Sequence, residues 1–518
     1  MSAAAGAAQP SPAVLARGRR LAARAPGAIA AMVRRVPRAG RVCFLIAFVN
    51  AAIWGLVVPP FQVPDEIAHF GYAQYLAETG EPPPQGAGAQ YSPQEQATLE
   101  KLGFFGVIGR AENRGILTAA EDRALRKVTS STNPVGQGGA DSVTNQPPLY
   151  YALEAIPYWL SPSNEILVRL FFMRLLSALM AACTVLGVFM FIRELAPGSP
   201  WTWTVGALAV AFQPTFDFMA AGVQGDNLLF LTATLTFLML LRAYRRGFTM
   251  RRAAIIGAVV AAGTLAKLTF IALLPGIAVG LLVLCWRALP QGRAQALRAL
   301  AVAALVAAVP VALYALLNVT LWHRGSPTAG GLAGATHSSL PSGGVVTMNE
   351  TLDYIWQLYL PRLGFMHHNF FPANPLWPTW FDGSIGHFGW LDYTFPAWVY
   401  TDARWVLYVL LALAVLGVYR LRSHIRGLLP IFATFAVMTV GLLGAIGYSG
   451  IRYRLTTGET FEQARYLFPL VALYALFLVL AAKGAPRRWA PALGVAIVVL
   501  AMAHGLFAET LTISRYYG

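Results

Sequence analysis

Long apolar runs separated by short basic connectors dominate this sequence. The runs lie at about 42–59, 166–193, 202–221, 228–242, 253–266, 269–286, 299–321, 404–421, 427–448, 466–482 and 489–509. An α-helix needs about 20 apolar residues to cross the hydrocarbon core of a bilayer, and the pattern predicts eleven spans. The fold class is therefore all-α, a polytopic membrane protein. A membrane barrel would show alternating segments of roughly ten residues instead. Two polar stretches interrupt the series, 61–165 and 322–403, and both read as large outer loops. Within the first, helices are predicted over 66–78 and about 93–103, followed by a Gly/Ser/Thr/Asn-rich link at 129–145. The apolar run from Pro147 to Ser161 is too short to span, and reads as an interfacial or re-entrant helix.

Charge fixes the expected orientation. The basic connectors hold Arg242, Arg245, Arg246, Arg251 and Arg252, then Arg287, Arg293 and Arg298, then Arg420, Arg422 and Arg426, and finally Lys483, Arg487 and Arg488. With the eleven spans all of these fall on one side, which the positive-inside rule makes cytoplasmic. Counting 147–160 as a full span would put them outside. The expected organisation is a disordered basic cytoplasmic tail at 1–41, a membrane domain at 42–510 and an extracytoplasmic tail at 511–518. The implied location is the cell (plasma or inner) membrane, N-terminus inside and C-terminus outside. Composition agrees: 57% of the 518 residues are hydrophobic and only 12% charged, where a soluble chain carries about 25% charged residues. The net charge of +16 comes from the connectors and from the eight arginines of the 1–41 tail, so it argues for a lipid bilayer and against nucleic acid as the partner. Cys43, Cys183 and Cys285 each sit in an apolar run, as small core residues do, and imply no disulfide framework.

The candidate chemistry gathers where the first run stops, at Pro59-Pro60-Phe61-Gln62-Val63-Pro64-Asp65-Glu66-Ile67-Ala68-His69-Phe70. The prolines keep this stretch out of helix. Two adjacent carboxylates then stand close to the membrane surface, where ionisable groups are costly to desolvate and tend to be functional. Two readings stand for Asp65, capping of the following helix and general-base chemistry. His69 falls three residues after Glu66, on roughly the same helix face. Arg174, Lys267 and Arg465 are expected at the outer ends of their spans, where the alternative is snorkelling. Asp226-Asn227 is placed either to cap the fourth span or to support the first-loop acid. His367-His368-Asn369 and His387 lie among aromatics of the second outer loop, as a sugar pocket or an interfacial belt. A P-loop, dinucleotide fingerprint, nucleophile elbow or zinc signature is absent from the sequence.

Val63-Pro64-Asp65-Glu66-Ile67-Ala68-His69-Phe70-Gly71-Tyr72-Ala73 resembles the first-loop motif of the GT-C superfamily of membrane glycosyltransferases. Asn145-Gln146-Pro147-Pro148-Leu149-Tyr150-Tyr151, Arg174-Leu175-Leu176-Ser177-Ala178-Leu179 and Gln463-Ala464-Arg465-Tyr466-Leu467-Phe468-Pro469 are similar to later elements of the same superfamily. The last, with the Pro-Pro-Phe-Gln-Val-Pro-Asp-Glu opening, looks closest to a functionally uncharacterised branch of bacterial envelope proteins. The resemblance implies transfer, with inversion, of a sugar from a polyprenyl-phosphate-linked donor to a cell-envelope acceptor. It implies Asp65 as base and Glu66 as orienter, substitute or ligand of a divalent metal, that metal being left open. Arg174, Lys267 and Arg465 would bind phosphate, with Gln146, Tyr150, Asp226 and His69 completing the site. A lipid-linked sugar flippase and a non-catalytic assembly protein are the competing functions. No internal repeat of the kind common in transporters is visible in the sequence.

Overall fold

Helix α1 (Arg38–Val57) carries the first apolar run and stops where Pro59 and Pro60 remove the backbone donors needed to continue it. The computed structural model describes residues 36–85, 91–114, 118–136, 138–139, 141–324 and 347–518. The expected tail thus lies outside the described residues as far as residue 35, and its last positions already belong to α1. After the proline turn come α2 (Glu66–Thr79), α3 (Pro93–Lys101), α4 (Ala119–Ser131) and α5 (Leu149–Leu160). Ser92 starts α3 by accepting a hydrogen bond from the Glu95 amide, and Thr118 and Glu121 form a reciprocal capping box on α4. Helix α5 is the short apolar run. It packs on α2 and leaves Ile156, Trp159 and Leu160 exposed, as a helix lying in an interface would.

The membrane helices follow as α6 (Ile166–Leu195), α7 (Pro200–Ala211), α8 (Pro214–Ala220), α9 (Asp226–Arg246), α10 (Met250–Ala266), α11 (Leu274–Ala288) and α12 (Arg293–Thr320). Beyond the second loop and its helix α13 (Met348–Tyr359) come α14 (Ala397–Arg420), α15 (Leu429–Thr457), α16 (Val471–Gly484) and α17 (Ala490–Tyr517). Nine helical segments among the described residues are long and apolar enough to cross a membrane. The other two expected spans are helical but different. Residues 202–221 form a broken helix, because Pro214 disfavours helix at Gln213 before it. The Gln213 side chain then restarts α8, its Oε1 accepting the Phe216 amide at 2.6 Å. Helix α10 has 17 residues and hands over to a short 3₁₀ turn, Leu268–Leu273.

Helices α6 and α9 are the most buried of the nine, while α12 and α14 are the least. The core lies between α1, α6, α7, α9, α11 and α15, with Trp54, Phe189, Phe191, Phe237 and Phe435 at its centre. A second cluster, including Phe61, Phe70, Tyr72, Tyr150, Tyr151 and Tyr158, sits beneath the first loop. Small residues set the closest crossings. A Cβ at Gly257 would meet the Ala303 carbonyl oxygen at 2.5 Å, so α10 and α12 touch backbone to backbone there. In the second loop, β1 (His387–Phe388) pairs antiparallel with β2 (Tyr393–Thr394).

Residues 511–518, expected as a tail, instead continue α17 to Tyr517. Their sequence is too polar to read as a span, but tertiary partners hold it. Arg515 donates to Asp392 at 2.9 Å and to the carbonyls of Arg110 and Asn113, tying the chain end to both outer loops.

Candidate active site

The turn between α1 and α2 is held by one arginine. Arg174 on α6 donates Nε to Glu66 Oε1 (2.8 Å) and Nη2 to Glu66 Oε2 (2.6 Å). Its Nη1 reaches the carbonyls of Gly55 (2.9 Å) and Val58 (2.7 Å), and Nη2 that of Pro59 (2.9 Å). The Gly55 carbonyl would ordinarily accept from residue 59, which is proline and has no N–H. All five guanidinium donors are therefore engaged. Glu66 is fully buried, and its Oε1 also accepts the Val223 amide at 3.0 Å. The segment before α9 closes over the turn as well, with Gln224 donating to the Pro64 carbonyl. Gly222 lies so close that a Cβ there would meet Val63 at 2.6 Å. Gly222→Ala is accordingly expected to destabilise the protein by about 1–3 kcal/mol through overpacking, read as a lower unfolding temperature in detergent. An unchanged temperature would mean that the turn is free to shift.

This clamp leaves Asp65 in the left-handed region, with φ 63° and ψ 1°. Aspartate tolerates that region better than most residues, yet such backbone costs of order 1–3 kcal/mol and clusters at functional sites. The capping reading fails here. The Asp65 side chain makes no cap hydrogen bond, and instead its Oδ2 accepts from Arg465 Nη2 at 2.6 Å. Asp65 is 43% exposed at its side chain, whereas Arg465 is buried. Burial would raise the Asp65 pKa, but the ion pair with Arg465, its hydrogen bond and the nearby Lys267 charge outweigh that and hold it below the usual carboxylate range.

Arg465 opens on a cavity of about 250 Å³ lined by Pro64, Phe218, His387, Glu462, Gln463 and Arg465 itself, among others. Its Nε and Nη1 are buried without a hydrogen-bond partner, so the guanidinium keeps donors in reserve. Beside this pair, Lys267 Nζ donates to Asp226 Oδ1 at 2.6 Å. Lys267 is extended between α10 and its 3₁₀ turn, and Asp226 is the first residue of α9. His69 stands within the field of all four charges. Its Nδ1 lies 2.9 Å from the Tyr151 hydroxyl, and its ring meets Tyr150 edge-on. Burial, reinforced by Lys267, pushes the imidazole down to about 3, so it is neutral at neutral pH. Tyr151 stacks on Tyr72 at 3.6 Å. Gln146 links this layer to the cation, its carbonyl accepting from Tyr72 and its Oε1 from the Leu268 amide.

Asp65, His69, Gln146, Tyr150, Asp226, Lys267 and Arg465 thus assemble from five separated stretches of chain. Glu66 and Arg174 do not join them. Successive helical residues point about 100° apart, and Glu66 turns inward to Arg174, which corrects the expectation of Arg174 as a phosphate ligand. With both its oxygens engaged, Glu66 does not fit the role of metal ligand beside Asp65. Among the described residues no group of three or more His, Cys, Asp or Glu side chains could hold a metal ion. In the second loop, His387 lines the cavity, while His368 lies 3.5 Å from Glu350 and 3.8 Å from Asp353. Glu462, which sequence reasoning missed, is a second carboxylate on the cavity wall. It accepts from the Tyr354 hydroxyl and the Phe461 amide, and its only sequence signal is proximity to the Gln463-Ala464-Arg465 element.

A family model described as "Predicted membrane protein (DUF2142)" matches residues 48–474. The chain belongs to the DUF2142 family. Every charged member of the cluster described above falls inside that match. No curated protein matches the chain. Among solved structures it is similar to the oligosaccharyltransferase of Archaeoglobus fulgidus in its apo form, at 14% identity and a TM-score of 0.41, covering 91% of this chain and 56% of that one. The same enzyme tethered to an acceptor peptide matches at 13% identity and a TM-score of 0.44, covering 92% and 55%. The archaeal AglB from that organism, in complex with an inhibitory peptide and a dolichol-phosphate, matches at 14% and 0.44, covering 92% and 56%. This DUF2142 chain therefore spans about half the length of the solved structures it matches.

Proposed function

We propose that this protein is an integral membrane glycosyltransferase of the GT-C type, moving a sugar from a polyprenyl-phosphate carrier to a cell-envelope acceptor outside the membrane. One observation carries the reading: a half-exposed, conformationally strained carboxylate, Asp65, is paired with a buried arginine that lines a cavity and keeps two donors without a hydrogen-bond partner. A hydroxyl is a poor nucleophile, and a carboxylate within hydrogen-bond reach takes its proton as it attacks. In the proposed step the acceptor oxygen bonds to the anomeric carbon and the carbon–oxygen bond to phosphate breaks. The hydroxyl proton passes to Asp65, and the phosphate leaves with the bonding electrons. Attack opposite the departing phosphate inverts the anomeric centre. Arg465 supplies charge-assisted donors to the phosphate as its charge develops. Its pairing with Asp65 in the free protein suits a switch, since a bound phosphate competes for the guanidinium and releases the carboxylate to act as base. Lys267, Asp226, His69, Gln146 and Tyr150 position these groups.

The direct test is transfer from a labelled polyprenyl-phosphate sugar by purified protein, comparing wild type with Arg465→Gln. Arg465→Gln is expected to weaken donor binding and turnover together. Lipid movement across vesicles without sugar cleavage would replace this reading with a flippase, and binding without either activity would leave an assembly protein.

The proposed orientation is tested by labelling single cysteines with a membrane-impermeant thiol reagent. Ser92, an obvious choice from sequence, is buried as the cap of α3, and Ser342 lies outside the described residues. The exposed Lys101 and Ser423 serve instead. Lys101→Cys is expected to label from outside intact cells and Ser423→Cys only after permeabilisation. The reverse pattern would invert the protein.

A further inference from the structure

Four arginines are fully buried among the described residues: Arg174, Arg324, Arg465 and Arg515. Three of them have carboxylate partners, namely Glu66, Asp65 and Asp392. Arg324, at 3% exposure the most buried of the four, forms no ion pair with any described residue. Its Nη2 donates to the Thr144 carbonyl, and its Nε and Nη1 have no hydrogen-bond partner. Its backbone amide bonds the Asn318 carbonyl at 2.9 Å, which folds the end of α12 inward. The stretch 325–346 that follows contains no Asp or Glu. Removing a guanidinium from water costs several kcal/mol, and only a counter-charge with good hydrogen bonds offsets that.

The position makes this more than a local oddity. The Tyr72 hydroxyl faces Arg324, and the Tyr72 ring stacks on Tyr151, the partner of His69. Thr144, which Arg324 holds, is two residues before Gln146, whose side chain binds the backbone beside Lys267. Arg324 therefore stands behind the aromatic layer of the candidate site, on the side where α5, α10 and the end of α12 meet. Within the site itself, Asp65 with Arg465 and Asp226 with Lys267 already balance in charge. Among the buried arginines of the described residues, the positive charge without a paired carboxylate is at Arg324.

We propose that Arg324 is an anion-binding residue, and that a phosphoryl group of an incoming ligand supplies its missing counter-charge. A guanidinium suits this role because its planar fork of donors matches phosphate oxygens. The phosphoryl group can come from the headgroup of a lipid or from free phosphate, and both present the same chemistry. If the ligand is a lipid carrier, Arg324 gives it a phosphate contact separate from Arg465. The proposal rests on the unpaired guanidinium and not on sugar transfer, so it can fail or stand independently of the proposed function.

The experiment measures binding and thermal unfolding of the full chain in neutral detergent. The probes are inorganic phosphate, a polyprenyl monophosphate and phosphatidylglycerol, added separately. The proteins are wild type, Arg324→Gln, Arg324→Lys and Asp141→Asn. Asp141 is included because it is the acid nearest to Thr144 in sequence. Wild type is expected to bind at least one probe and to unfold at a higher temperature with it. Losing charge-assisted hydrogen bonds at Arg324→Gln should weaken that binding about 10–100-fold, with Arg324→Lys intermediate and Asp141→Asn unchanged. Without ligand, Arg324→Gln should unfold no earlier than wild type, because it removes a buried charge that no described carboxylate neutralises. The probe with the strongest Arg324-dependent effect identifies the source: the polyprenyl phosphate a carrier, phosphatidylglycerol a bulk lipid, and inorganic phosphate a soluble anion. Equal affinities of wild type and Arg324→Gln for all three probes would overturn the proposal. So would an Arg324→Gln protein that unfolds much earlier without ligand yet keeps its full ligand-induced shift, since Arg324 would then be an internal structural group.

Discussion

Asp65→Asn is expected to lower sugar transfer by about 10²–10⁴-fold, the usual loss when a general base is removed, while donor binding changes far less. Asparagine keeps the size of the side chain and tolerates the left-handed backbone at this position (φ 63°), so loss of activity would not reflect loss of the turn. The pH dependence carries a second signature. In the free protein Arg465 holds the Asp65 pKa below the usual range, so the carboxylate stays ionised at pH values where an ordinary aspartic acid, at about 3.9, begins to protonate. The acid limb of kcat/KM, which reports the free enzyme, should accordingly lie below about pH 4. Once the donor phosphate draws Arg465 away, the carboxyl loses part of that stabilisation and its pKa rises. The acid limb of kcat, which reports the bound complex, should therefore appear at higher pH. Full turnover by a folded Asp65→Asn protein would remove Asp65 from the mechanism. Coincident acid limbs would instead remove the proposed switch of Arg465.

Arg174→Gln and Glu66→Gln are expected to act on folding, with an effect as large but of another kind. Each leaves the other member of a buried ion pair without its partner, which typically costs 3–5 kcal/mol. Arg174→Gln also strands the carbonyls of Gly55, Val58 and Pro59. Arg174→Lys should not rescue, because a single ammonium cannot reach the positions that the five-donor fork occupies. The measurement is the fraction of protein surviving size-exclusion chromatography after a temperature series, with donor affinity determined on the survivors. Loss of stability with unchanged affinity in surviving molecules is the expected result. An Arg174→Gln protein as stable as wild type but unable to bind donor would restore Arg174 to the phosphate site.

Much of this architecture is written locally. Apolar runs of about 20 residues can satisfy their backbone in lipid only as helices, so nine of the eleven expected spans, and α5 as a shorter helix, follow from hydropathy alone. Proline chemistry is equally local, which is why the sequence already marks the end of α1 and the turn before Asp65. The same reasoning brought Asp65, Lys267, Asp226 and Arg465 to one face, since each stands at the end of an apolar run. It could not say which charge meets which. Asp65 and Arg465 are 400 residues apart in sequence, and their pairing depends on how α2 and the turn before α16 pack. Glu66 and Asp65 are neighbours with the same chemistry, yet helix geometry turns one inward to a structural clamp and leaves the other paired with Arg465, which lines a cavity. The strained backbone of Asp65 arises because Arg174, Val223 and Gln224 fix the residues on either side of it. Arg515 and Arg324 look like ordinary interfacial arginines in the sequence. Only the packed structure separates them, because one meets Asp392 at the end of a helix that hydropathy had cut short, and the other is folded into a place where no carboxylate of the described residues reaches it.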